Sequence, residues 1–186
     1  MVVIRRDEDL YVCWVGDSEA SLYTTDGEDL PLCKPHKSSS EVRCSLVYLL
    51  VLFLASCLIL FSFVQTEKAR IEELGGFIQE INGVHRLNGV LAVTRSFGDA
   101  RFKRFVVPEP EILKRPLTGK EDFLVIACDG LWDVMTPKDA GDFVRNFRTQ
   151  KNTTEGVAQA LTLQALELQS TDNVSVVVVF FNREGQ

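Results

Sequence analysis

At 186 residues and 46% hydrophobic composition, the chain is long enough to bury one core. A net charge of −6 with no run of lysines or arginines excludes the basic stripe that a nucleic-acid interface needs. The five cysteines are odd in number and include no CxxC pair, so reduced thiols in the cytosol or nucleus are expected rather than a disulfide framework; the charged stretch Met1 to Asp9 lacks the apolar run of a cleaved signal peptide.

In chain order, Leu10 to Val15 reads as a strand, rich in aromatic and β-branched residues and stopped by Gly16-Asp17-Ser18. A second strand, Ala20 to Thr24, ends at the turn Thr25-Asp26-Gly27. Cys44 to Val64 then breaks the pattern: it has no charged residue and about the length that spans a bilayer, which on hydropathy alone is a transmembrane helix. Basic residues flank it on both sides and leave its orientation open. Thr66 to Leu74 reads as a helix, with Thr66 as its cap and Gly75 at its C-terminal end. Phe123 to Cys128 is a continuous apolar run, the pattern of a strand buried on both faces. Thr136-Pro137 opens a helix that continues to about Phe147, and Thr153 or Thr154 opens another with the stripe Val157, Leu161, Ala165 and Leu168. Val174 to Phe181 reads as the last strand. Strands before and after helices imply a layered α+β or α/β domain.

Several aspartates share one situation. Asp17 and Asp129 end apolar strands, and Asp172 precedes one. If neighbouring strands run antiparallel, the end of one lies beside the start of the next, and these carboxylates meet at one rim of a sheet. Asp133, four residues beyond Asp129, is near enough to join them. Carboxylates without a His or Cys partner suit a hard cation such as Mg²⁺ or Mn²⁺. Taken singly, each is also an ordinary turn residue.

The order of motifs is more specific. VGDS at Val15–Ser18, KPHK at Lys34–Lys37, EKARIEELGG at Glu67–Gly76, RLNGVLAVTRSFGD at Arg86–Asp99, VPEPEI at Val107–Ile112, CDGLWDVM at Cys128–Met135 and STDNVSVVVVF at Ser170–Phe180 follow one another along the chain. The series resembles the type 2C (PPM) family of metal-dependent protein serine/threonine phosphatases. The resemblance implies two packed antiparallel β-sheets flanked by helices, an α-β-β-α sandwich, here incomplete. It implies two Mg²⁺ or Mn²⁺ ions at one end of the sandwich and a phosphoprotein substrate, with Asp129 and Asp172 as ligands of the paired centre. Asp17, Asp129 and Asp133 match the ligands of a weaker third metal. Arg86 and Asn88 are read as structural, Arg95 and Asp99 as a buried pair, and Trp132 and Met135 as core.

The family's N-terminal portion carries a phosphate-binding arginine and a DGHGG-type motif, and these residues contain no such motif. Weak or no activity is therefore expected of this chain alone. The domain division expected is a partial phosphatase domain over 1–41 and 67–186, with 42–66 as an apolar insert that projects from it. A span through 44–64 would part Asp17 from Asp129, Asp133 and Asp172, so a folded phosphatase and a spanning helix exclude each other. Without 42–66 the family pattern runs on unbroken, as expected of translated non-coding sequence. The alternative is a membrane-tethered, non-catalytic phosphoprotein-binding module.

Overall fold

The computed structural model describes residues 1–38 and 67–181. The apolar stretch 44–64 and the cap assigned to Thr66 lie outside the described residues. The chain divides into two compact units, Met1–Pro35 with Glu109–Gln186, and His36–Pro108.

In the first unit, strands β1 (Val2–Arg6), β2 (Asp9–Trp14) and β7 (Glu111–Pro116) form one antiparallel sheet in the order β1-β2-β7. A second sheet has the order β4-β3-β8-β9, from β3 (Glu19–Thr24), β4 (Asp29–Pro31), β8 (Glu121–Ala127) and β9 (Val176–Phe180). All of its pairings are antiparallel. Alternation along β2 turns Leu10, Val12 and Trp14 inward, where they pack on Ala20, Leu22 and Leu124 of the second sheet. The other face of that sheet carries Tyr23, Phe123, Val125 and Ala127. It is covered by α3 (Pro137–Lys151) and α4 (Val157–Glu167) through Ala140, Val144, Leu161 and Ala165; the short α2 (Asp129–Trp132) precedes them. The layers are thus sheet, sheet and helices, an α+β architecture. The apolar run of β8 is explained by its place: it is central in its sheet and covered on both faces.

The helix starts follow their caps. Thr136 and Asp139 form a reciprocal capping box with Pro137 in the first turn. The expected start of α4 at Thr153 or Thr154 is corrected. Thr153 Oγ1 accepts from Glu155 N in a local turn, and Gly156, at φ 77°, caps a helix that begins at Val157.

The second unit holds α1 (Glu67–Glu73) and the hairpin of β5 (Ile78–Ile81) with β6 (Val84–Leu87), around Ile71, Leu87 and Val106. Gly75, at φ 81°, ends α1 as expected, with Gly75 N and Gly76 N bonded back to Glu72 O and Ile71 O. Asn88 has the structural role foreseen: its Oδ1 accepts from Phe77 N and its own N–H donates to Phe77 O.

Candidate active site

The two neighbours of β8 bring three turns to one rim of the second sheet. Ala127, the last residue of β8, pairs with Glu19 at the start of β3 and with Val176 at the start of β9. The chain preceding Glu19 contains Asp17, the chain following Ala127 contains Asp129, and the chain preceding Val176 contains Asp172. The antiparallel register therefore puts the turns carrying these aspartates at the same edge, as the strand-end argument requires.

The turns at Asp129 and Asp172 are bound to each other through backbone and sulfur. Cys128 N donates to Ser175 O at 3.2 Å, Cys128 Sγ donates to Asn173 O at 3.1 Å, and Ser175 N donates to Cys128 Sγ at 3.2 Å. Ser170 Oγ donates to Gly130 O at 2.7 Å. Gly130 is buried, and a Cβ there would stand 2.3 Å from Asn173 O. Only a hydrogen fits, so glycine is what lets the two turns approach so closely. Asp172 is exposed, and its Oδ1 accepts from Asn173 N at 2.6 Å, closing its own turn.

Trp132 does more than fill the core. Its indole N–H is shared between Glu19 O at 3.2 Å and Ala127 O at 3.1 Å, which pins α2 to the rim. Asp133, the next residue, is exposed, and its N–H donates to Asp129 O at 2.8 Å. Cys128, Gly130 and Ser170 were not foreseen as contributors. The Asp-Gly pair at 129–130 was visible in the sequence, but the backbone it must admit comes from far along the chain.

These carboxylates are hard oxygen donors, the chemistry that suits Mg²⁺ or Mn²⁺. Among the described residues, however, no group of three or more His, Cys, Asp or Glu stands together in a way that could hold a metal ion.

The second unit corrects the expected Arg95–Asp99 pair. Arg95 donates from Nε and Nη2 to Glu67 Oε1 at 3.1 and 2.7 Å, while the exposed Asp99 accepts from Ser96 Oγ. Arg70 binds the other oxygen of Glu67 at 2.8 Å and the carbonyls of Phe105 and Thr94. Burial raises the Glu67 pKa, but the hydrogen bonds from Arg95 and Arg70 outweigh it and hold the carboxyl at about 2.

The family model for protein phosphatase 2C matches residues 63–174. Human protein phosphatase 1F is 36% identical over 172 residues, which cover 92% of this chain and 32% of that protein. Protein phosphatase 2C homolog 1 of Saccharomyces cerevisiae is 34% identical over 180 residues, 97% of this chain and 52% of that one. The chain thus spans about half or less of these relatives. Among solved structures, a phosphatase from a pathogenic strain of Toxoplasma gondii superposes with a TM-score of 0.71 at 27% identity, covering 96% of this chain and 50% of its own. A serine-threonine phosphatase 2C from Toxoplasma gondii, at 22% identity and TM-score 0.74, shares the fold over 97% of this chain and 57% of its own.

Proposed function

The chain belongs to the protein phosphatase 2C family, and from that membership we propose that it takes part in metal-dependent hydrolysis of phosphoserine and phosphothreonine in proteins. The observation that carries the reading is the bound pair of turns at the rim, where Cys128 and Gly130 tie Asp129 to the Asp172 turn. In this reading Asp129 and Asp172 would give carboxylate oxygens to a shared Mg²⁺ or Mn²⁺, and Asp17 and Asp133 would serve an outlying cation with Asp129. Such cations supply neutralisation of the phosphoryl oxygens. The remaining donors and a phosphate-binding arginine come from outside the described residues, so turnover by this chain alone is low. Residues 1–41 and 67–186 act as the phosphatase part and 42–66 as an insert. The working compartment is the cytosol or nucleus; the membrane alternative rests on 44–64, and no helix among the described residues is long and apolar enough to cross a bilayer.

A second reading is phosphoprotein binding without turnover. Mn²⁺-dependent hydrolysis of a phosphopeptide by the purified chain separates the two. The expected result is weak turnover that disappears in Asp129→Asn and Asp172→Asn. Phosphopeptide binding that ignores both Mn²⁺ and these substitutions would sink the metal-site reading and support the non-catalytic one.

A further inference from the structure

The second unit carries a compact group of positive charge, although the chain as a whole has 26 acidic residues to 20 basic ones. The short 3₁₀ helix Ala100–Phe102 continues into further tight turns. Phe102 N donates to Asp99 O at 2.8 Å, and Phe105 N and Val106 N both donate to Phe102 O at 2.7 Å. With a period near three, residues three apart share a side. Phe102 and Phe105 pack on the cluster of Ile71, Leu87 and Val106 and fix the segment to its unit. Arg101 and Arg104, also three apart, are exposed, and so is Lys103 between them.

None of these three bases forms an ion pair among the described residues, whereas Lys114, Lys120, Lys138, Arg145 and Arg148 each hold a carboxylate. The nearest acid along the chain, Asp99, accepts from Ser96 Oγ. The Arg104 guanidinium lies over the Phe105 ring, 5.6 Å from its centroid, which supports it on an anchored side chain. A guanidinium held in place in this way loses less freedom on meeting an anion.

We propose that this face of the second unit binds an acidic peptide segment, with carboxylates of the partner meeting Arg101, Lys103 and Arg104. The partner's identity rests on the phosphatase reading: the peptide is the acidic flank of a phosphoprotein substrate. Charge complementarity carries the proposal, and the scale of the patch selects a peptide over larger polyanions. Anionic membranes are held by clusters of about four to eight basic residues, and nucleic acids by a basic stripe on a basic domain. This chain has a net charge of −6, which repels both. A short peptide meets mainly the local field, because charges beyond about 8 Å are largely screened at physiological salt.

The test uses the full chain and two fluorescent, unphosphorylated peptides that differ only in carrying glutamate or glutamine at their polar positions. Binding is followed by anisotropy at low and physiological salt. The glutamate peptide should bind saturably, more weakly at the higher salt, and about tenfold more tightly than the glutamine peptide. Arg101→Gln and Arg104→Gln should each weaken it about two- to fivefold, the range of exposed charge pairs. The triple variant that adds Lys103→Gln should bind the two peptides alike. Removing Mn²⁺, or Asp129→Asn, should leave glutamate-peptide binding unchanged, so this surface and the metal-dependent site stand or fall separately. In the hydrolysis assay, glutamates flanking a phosphothreonine should lower KM, and the triple variant should lose that preference. Binding of the glutamate peptide without any turnover would support the surface and count only against the phosphatase reading. Comparing the two peptides on the wild-type chain requires no variant to fold. Equal affinity for the two peptides, unchanged binding or flank preference in the triple variant, or tighter binding to phosphatidylserine vesicles or to a single-stranded oligonucleotide would each overturn the proposal.

Discussion

Gly130 is where one hydrogen atom decides whether two turns can meet. With Asn173 O only 2.3 Å from where an alanine Cβ would stand, Gly130→Ala must push the Asp172 turn away from α2. We expect a destabilisation of about 1–3 kcal/mol, the usual cost of overpacking a tight contact, together with loss of any Mn²⁺-dependent turnover. Urea unfolding and a phosphopeptide assay measure the two effects, and full stability with full turnover would contradict the close approach. Gly141 offers an independent case away from the rim. Its Cβ would meet the Tyr23 ring at 2.4 Å, where Tyr23 stacks on Phe123 at 4.6 Å between ring centroids and donates its hydroxyl to Pro137 O at 2.7 Å. Gly141→Ala should destabilise the first unit by about 1–3 kcal/mol, although alanine favours helix, because the ring has no free space into which to move.

Among the elements, α1 is held by charge more than by length. Glu67 ties it to Arg95 and Arg70, with a folded pKa of about 2 against an ordinary value of 4.5. A depressed carboxyl pKa contributes stability that is complete above the unfolded value and is lost as the pH falls through the folded value. The contribution, up to about 3 kcal/mol, should therefore disappear between about pH 4.5 and pH 2. Denaturation followed over that window should show a slope in the native protein that Glu67→Gln lacks, and identical slopes would refute the assignment. In α3, Thr136→Ala removes one half of the capping box and should cost about 1 kcal/mol in thermal unfolding. Element type was legible where composition was one-sided, as in β8. It was not legible in β1, with Arg5 and Arg6, or in β7, where Lys114 and Arg115 sit among apolar residues. Both are edge strands with one face toward solvent, and only pairing with β2 makes them strands. The threonine at 153 misled because its hydroxyl closes a turn as readily as it caps a helix.

At the scale of the molecule, the run 44–64 differs from the rest of the sequence in having no charged residue. Deleting 42–66 is expected to raise soluble yield and leave the unfolding midpoint of the remaining domain unchanged; unfolding on deletion would make the segment part of the core. The sequence alone determined the family, the α+β class and the buried strands, because motif order and apolar runs are written locally along the chain. It also placed the aspartates at strand ends, since turn chemistry marks where strands stop. Only the tertiary structure decided which strand ends adjoin and that Arg95 answers Glu67 rather than Asp99. The reason is physical: Cys128 and Asn173 are 45 residues apart, and their contact depends on strand register and on the missing side chain of Gly130. Neither quantity is carried by any local stretch of residues.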